Sequence, residues 1–345
     1  MRIAHVNVAR DFRGGERQTE LLVRELCQQS VDQILVARRE SALSQRFADI
    51  KLNIRLVSGQ LPGVVRATRD ADIVHVHEGR SVYAAWLRHL LSGTPYIVTR
   101  RVNNAISDNR IAHSAYRSAA RVVAVAPQVA DVVSNFDSRI RTSVILSSGS
   151  GLVPEPEQVY AIRSQFPGKF VVGHVGALDN SQKAQDVIIE AARGLAATDP
   201  DIQFVLVGGG SDEAELQQLA AGLKNLVFTG FVENVGDYLA AFDVFILPSR
   251  REGIGSILFD AMNQGLPLVA TPVGGVPTIV RDGENGLLID VDDFAQLAAA
   301  LVRLKSDPAL CSRLGEAGRG IAAGNTPSKM ADSYLAIYRS VLERS

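Results

Sequence analysis

Twelve short runs rich in valine and isoleucine, alternating with helical patterns, constrain this chain more than any other feature. Seven fall in the first half: Ile3–Val8, Gln33–Val36, Ile54–Val57, Ile73–Val76, Tyr96–Thr99, Val122–Val125 and Ser143–Leu146. Five follow after residue 160: Phe170–Val175, Gln203–Val207, Leu226–Thr229, Val244–Leu247 and Leu268–Ala270. Between them sit amphipathic segments such as Glu16–Gln29 and Val82–Leu91. Strands buried on both faces read as short continuous apolar runs, and parallel strands need helical crossovers. The alternation therefore predicts an α/β fold with two Rossmann-like, doubly wound parallel sheets. The loop "SSGSGLVPEPE" at 147–157 holds three serines, two glycines and two prolines, and is the best linker. The domains expected are 1–152, 153–327 and a C-terminal helix at 328–345. That helix carries Met330, Tyr334, Ile337, Tyr338 and Val341 as one stripe, able to dock on either domain.

A chain of 345 residues is long enough for two domains of ordinary size. No apolar run approaches the roughly 20 residues that span a bilayer. "MRIAHVNVAR" turns polar too early for a secretory leader. Cys27 and Cys311 lie far apart without metal-ligand spacing, so they read as free thiols in a reducing cytosol. The charge is unevenly spread. Residues 1–155 hold 21 basic against 14 acidic side chains, and the remainder holds 15 against 23. Of those 21, all but Lys51 are arginine. Two readings stay open: an N-terminal half that meets an anionic membrane surface or phosphorylated acceptor, or a solvated arginine-rich face. Nothing calls for nucleic acid.

The candidate chemistry lies where strands end. In doubly wound sheets ligands bind beyond the carboxyl ends of the strands, which for two facing domains is the cleft between them. "ARDFRGGERQ" places Gly14 and Gly15 after the first strand, as a phosphate approach or a tight turn. The pair is not G-x-G-x-x-G, which argues against a nicotinamide dinucleotide. In "VGALDNSQKAQD" Lys183 opens a helix after a strand, placed to reach a phosphate or simply solvated. "VLVGGG" at 205–210 ends a strand in glycines, Gly209 and Gly210 among them, leaving room for a flat base.

"PSRREGIGSILFDAMNQG" at 248–265 is the most specific stretch. Glycines at 253 and 255 keep Glu252 outside the following helix and free the amides of Gly255, Ser256 and Ile257 for a phosphate-sized anion. Asp260 follows within the helix. Two acceptor-only carboxylates flanking such a cradle suit a ribose and a hexose, hence a sugar nucleotide; a capping acid with a satisfied helix carboxylate is the other reading.

These motifs together resemble the retaining glycosyltransferases of family 4, the "glycosyl transferases group 1" type, with the two-Rossmann GT-B architecture. The resemblance spans nearly the whole chain. It rests on Gly14-Gly15-Glu16, "DIVHVHE" at 72–78, Lys183, "VLVGGG", "FTGFVENVGDYLAAFDVFILPS" at 228–249 and "EGIGSILFDAMNQGLPLVAT" at 252–271. It continues through "GGVPTIV" at 274–280 and "DGENGLLI" at 282–289. The resemblance implies that Glu252 contacts the donor sugar and Asp260 the ribose. Lys183 and the amides of Gly255 to Ile257, beside Ile254, hold the diphosphate. Val232 lies in the backbone that reads the base, and Gly15 closes on the donor from the other domain. It implies no metal and no cofactor beyond the nucleotide-diphosphate sugar co-substrate, with a UDP-sugar favoured. It further implies front-face transfer without a protein nucleophile.

Departures from the pattern carry information. The second acid is an aspartate where the family has glutamate, so its reach is shorter by about 1.5 Å. Ala177 stands where the family often has an arginine. Arg101 stands roughly where it often has a histidine facing the reaction centre, with His77 and Glu78 on the neighbouring strand end. Lys183, Glu252, Arg101 and His77 are therefore the residues expected at the reacting atoms. Arg100 and Arg101 with Glu78 are expected to meet the acceptor, the arginines clamping an acidic group; neutralising the diphosphate in place of the missing arginine, or plain solvation, are the other readings of the pair. The expected function is transfer of a hexose-type sugar to an acidic or lipid-linked bacterial envelope acceptor, such as a lipopolysaccharide core. The expected place is the cytoplasm, with peripheral contact of the N-terminal domain on the inner membrane face. Two other readings are a sugar-nucleotide sensor or scaffold without turnover, which Ala177 and Asp260 favour, and a sugar-nucleotide epimerase.

Overall fold

The structure, a computed structural model, describes residues 1–344. It divides into two compact units. One is Met1–Ser150 with the segment from Thr326 onward, and the other is Gly151–Asn325.

The first unit is built on seven parallel strands: β1 (Arg2–Asn7), β2 (Asp32–Arg38), β3 (Asn53–Val57), β4 (Ile73–Val76), β5 (Tyr96–Arg100), β6 (Arg121–Ala124) and β7 (Thr142–Val144). Their order is β3-β2-β1-β4-β5-β6-β7. The second unit has six: β8 (Phe170–Val175), β9 (Ile202–Val207), β10 (Leu226–Gly230), β11 (Val244–Leu247), β12 (Leu268–Ala270) and β13 (Leu287–Leu288), in the order β10-β9-β8-β11-β12-β13. Every strand pairing is parallel. Each order reverses once, between β1 and β4 and between β8 and β11. Loops leaving such neighbouring strands diverge to opposite faces and open a crevice at their carboxyl ends.

Strand alternation distributes the core. On one face of the first sheet Val6, Val36, Val74, Val76 and Val98 pack with Val82, Ala85 and Tyr116. On the other, Ile3, Ile73, Ile97 and Val123 meet Leu22 and Leu26 of helix Gly14–Gln28, and Met330, Tyr334 and Tyr338 of helix Pro327–Leu342. The C-terminal helix thus returns to the N-terminal sheet. Its start is fixed by Thr326, whose hydroxyl accepts the Lys329 amide at 3.3 Å, and by Pro327 in the first turn. Each large apolar side chain it buries contributes about 1.5–3 kcal/mol. In the second unit Phe204, Leu206, Val244, Ile246 and Val269 pack with Ile188, Leu195, Leu297 and Leu301.

Candidate active site

In the second unit the crevice between β8 and β11 is where the expected donor residues gather. After β8 the chain makes the short helix Asn180–Lys183 and then passes through Ala184 at φ 56°, a left-handed position. That turn starts helix Gln185–Thr198 in a new direction and leaves Lys183 at the strand end. After β11 the loop carries Ser249, Arg250 and Glu252 before helix Ile257–Asn263. Lys183 Nζ donates to Glu252 Oε1 at 2.5 Å, and Ser249 Oγ donates to the same oxygen at 2.8 Å. The lysine and glutamate side chains are 15% and 6% exposed. Two residues far apart in sequence therefore meet as one charged pair at the switch point of the sheet.

The pair is braced from both sides. The Ser249 carbonyl accepts the Thr271 hydroxyl at 2.5 Å, fixing the loop to the end of β12. Arg250 donates to both oxygens of Asp186 at 3.0 and 2.8 Å, to Asp292 at 2.6 Å and to the Asn180 carbonyl at 2.7 Å. Arg250 thus ties the loop carrying Glu252 to the helices flanking Lys183. His174 lies behind the lysine, fully buried, with Nδ1 donating to the Ile246 carbonyl at 3.1 Å. Burial pushes its imidazole down to about 4, and the nearby Lys183 charge adds to the effect.

Gly255 adopts φ 70°, and a Cβ there would stand 3.0 Å from Leu247 Cδ2. The position calls for glycine on both counts. Ser256 precedes helix Ile257–Asn263 without a side-chain cap. Among the described residues, the amides of Gly255, Ser256 and Ile257 donate no hydrogen bond. Ile254 is buried beside them, and Asp260 is buried in the first turn. Val232, half-buried, lies in the loop between β10 and helix Val235–Ala241.

The glycine run after β9 has a different explanation from room for a base. A Cβ on Gly208 would fall 2.0 Å from the Gly176 carbonyl oxygen, and one on Gly210 would fall 2.3 Å from that of Leu178. Both glycines let the loop after β8 lie against the loop after β9. Only Gly209 has freer space, its nearest neighbour being Glu213 Oε2 at 3.4 Å.

In the first unit the corresponding strand ends hold Gly14, Gly15, His77, Glu78, Arg100 and Arg101. Gly14 and Gly15 open helix Gly14–Gln28, where Glu16 Oε2 accepts the Arg13 amide at 3.1 Å. Glu78 caps the next turn, its carboxylate accepting the Arg80 amide at 2.7 Å and the Ser81 amide at 3.1 Å. The expected arginine clamp is not formed. Consecutive residues at a strand end point to opposite faces. Arg100 turns toward Tyr116 and donates to the Asn104 carbonyl, whereas Arg101 turns toward His77.

Sequence reasoning missed what surrounds Arg101. His5, His75 and His77 are buried together, with ligand-capable ring atoms all within 4.8 Å of one another. His5 Nδ1 is 3.0 Å from His77 Nε2, and His75 bonds Tyr338 Oη at 2.6 Å and Thr99 Oγ1 at 2.7 Å. Tyr334 Oη reaches Thr99 Oγ1 at 2.9 Å. Burial holds His5 down to about 3 and His75 and His77 well below the usual range, so all three are neutral near pH 7. The available signal was parity: residues 5, 75 and 77 share the face of the sheet that the stripe of Tyr334 and Tyr338 covers.

Residues 169–307 match the sequence profile of the family glycosyl transferases group 1. The lipopolysaccharide core biosynthesis glycosyltransferase LpsE of Rhizobium meliloti (strain 1021) is 26% identical, over 99% of each chain. Residues 169–307 are thus similar to the group 1 glycosyltransferases, and the chain is a glycosyltransferase. The D-inositol 3-phosphate glycosyltransferase of Stackebrandtia nassauensis is 29% identical over 84% of this chain and 72% of its own length. Among solved structures, Anabaena HepE in complex with UDP-glucose superposes with a TM-score of 0.87 at 19% identity, covering 99% of this chain and 100% of that one. Sucrose-phosphate synthase from Thermosynechococcus elongatus gives 0.85 at 20% identity, covering all of both chains. The fold of this glycosyltransferase is GT-B. No helix of the described residues is long and apolar enough to cross a membrane.

Proposed function

We propose that this glycosyltransferase moves a hexose-type sugar from a nucleotide-diphosphate sugar, with retention of anomeric configuration, to an acidic or lipid-linked glycan of the bacterial envelope. The observation carrying the proposal is the Lys183–Glu252 pair at the switch point of the second sheet, inside the segment that matches the family. A lysine at a strand end supplies positive charge to a diphosphate leaving group, and an ionised glutamate accepts hydroxyl hydrogens of a sugar. The unspent amides of Gly255 to Ile257 lie beside them on the same loop. Asp260 is assigned to the ribose and the backbone near Val232 to the base.

In the transfer the bond from the anomeric carbon to the diphosphate oxygen breaks. An acceptor hydroxyl forms its bond on the same face, and its proton passes to the departing oxygen. Lys183 stabilises the charge that develops there, and Glu252 fixes the sugar so that the face presented does not change. UDP is favoured as the nucleotide because HepE, a protein of the same fold, is seen with UDP and UDP-glucose. An envelope acceptor is favoured by LpsE, whose name places it in lipopolysaccharide core biosynthesis. The excess of arginine in residues 1–155 agrees with an anionic acceptor or a peripheral membrane contact of the N-terminal unit.

The test is hydrolysis and transfer with a panel of UDP-, GDP- and ADP-hexoses. Turnover of one donor, abolished in Glu252→Ala, supports the assignment. No turnover with any donor, or full activity in the variant, removes it.

A further inference from the structure

Arg101 lacks the partner that a buried guanidinium ordinarily has. Its Nε and Nη1 are both shielded from water and bonded to nothing, and only Nη2 has a contact, at 3.4 Å from His77 Nδ1. It forms no ion pair among the described residues. The nearest carboxylate influence is Glu16, whose oxygens are already taken by the Arg13 amide at 3.1 Å and Asn7 Nδ2 at 3.3 Å. Unspent donors out of contact with water are costly in a fold, and a charged one more so.

The surroundings hold the group in place without neutralising it. His77 can accept from Arg101 at Nδ1 only if its proton sits on Nε2, and that proton is then donated to His5 Nδ1 at 3.0 Å. The remaining proton of His5 is then on Nε2, a buried atom without a hydrogen-bond partner. One chain of hydrogen bonds therefore fixes both tautomers and aims a lone pair at the arginine. Gly15 lies against it: a Cβ there would only touch Arg101 Cδ, at 3.4 Å. Arg101 as a whole is half-buried, while its Nε and Nη1 are shielded.

We propose that Arg101, set by the His77–His5 chain beside Gly15, is an anion receptor of the N-terminal unit and takes a phosphate or carboxylate group of a substrate. The planar fork of a guanidinium suits two oxygens of such a group at once. Two substrates can supply it under the transferase reading, on which the identity of the ligand rests: the diphosphate of the donor, or an acidic substituent on the acceptor. Arg101 is the binding residue, and His77 and His5 are positioning residues.

Titration calorimetry on the full chain separates the sources, with UDP against uridine as one probe pair and glucose 6-phosphate against glucose as the other. Arg101→Gln is expected to weaken one of the two anionic probes by about 10- to 100-fold and to leave its neutral counterpart unchanged. Arg101→Lys, which keeps the charge and loses the fork, falls between. Loss on UDP assigns the donor diphosphate, and loss on glucose 6-phosphate assigns the acceptor. His77→Phe, which removes the lone pair but keeps a ring, weakens the same probe to a smaller degree without altering the probe preference. Far-ultraviolet circular dichroism and melting curves confirm that each variant is folded. Unchanged affinity for both anionic probes in a folded Arg101→Gln protein overturns the proposal. If the wild type transfers sugar while that variant keeps its affinities, this proposal alone fails. If the wild type turns over no donor, the transferase reading fails, and the anion titration stands or falls by itself.

Discussion

A double-mutant cycle on Lys183 and Glu252 distinguishes a structural ion pair from a working one. Glu252 Oε1 receives both Lys183 and Ser249, and the two charged side chains are 15% and 6% exposed. Replacing Glu252 by Gln leaves a largely shielded ammonium without its counter-charge. Replacing Lys183 by Met does the same to the carboxylate, which keeps Ser249 as a partner. Breaking a fully buried pair costs about 3–5 kcal/mol, and the partial exposure of the lysine lowers that to about 2–3 kcal/mol for either single change. For a unit of this size that corresponds to about 4–12 °C in melting temperature. Changing both together removes the stranded charge, so the double variant recovers roughly 1–2 kcal/mol. Stability is read by thermal melting of the transition belonging to residues 151–325, and donor affinity by UDP titration. Stability should recover in Lys183→Met/Glu252→Gln while UDP affinity and sugar transfer do not. If affinity and transfer recover with stability, the pair serves only the fold, and the reasoning is refuted.

Three further outcomes follow from the geometry. His174 is neutral in the fold, with its pKa down from 6.5 to about 4, so its contribution of roughly 3 kcal/mol is complete above pH 6.5 and is lost as pH falls toward 4. Urea melts should show a flat stability from pH 7 to 8 and a decline below 6.5 that His174→Gln makes shallower; equal slopes would reject this. Gly210→Ala, which sets a Cβ 2.3 Å from the Leu178 carbonyl oxygen, should destabilise by about 2–4 kcal/mol, whereas Gly209→Ala should stay within about 1 kcal/mol, both measured by denaturant unfolding. Tyr338→Phe removes the hydroxyl 2.6 Å from buried His75 Nδ1 and should cost about 1–3 kcal/mol, with faster amide exchange in helix Pro327–Leu342 as its local signature.

The fold was legible because buried parallel strands leave a local mark. Runs such as Val244–Leu247, and Ile73–Val76 but for His75, are apolar on both faces, and they are strands with those limits in the structure. Strand β13 escaped notice because two residues, Leu287 and Leu288, carry no periodicity. Lys183 and Glu252 were each legible from their loops. Their mutual contact was not, since it depends on β8 and β11 being neighbours, a property of topology rather than of either segment. The glycines at 208 and 210 show the reverse error. Glycine permits close approach to a ligand or to another backbone equally well, and here the neighbour is the chain itself. Arg100 and Arg101 read as a clamp because adjacency in sequence suggested adjacency in space, against the two-residue period of a strand.

The Lys183–Glu252 site is proposed to carry a retaining transfer from a nucleotide-diphosphate sugar. Proton magnetic resonance of the first-formed sugar, recorded while the enzyme hydrolyses an α-configured donor such as UDP-glucose, tests it most directly. α-Glucose should appear before mutarotation, and Glu252→Gln should suppress its formation by at least about 30-fold, the loss of one charge-assisted contact of about 2 kcal/mol or more. The β-anomer appearing first, or undiminished hydrolysis in the variant, would contradict it.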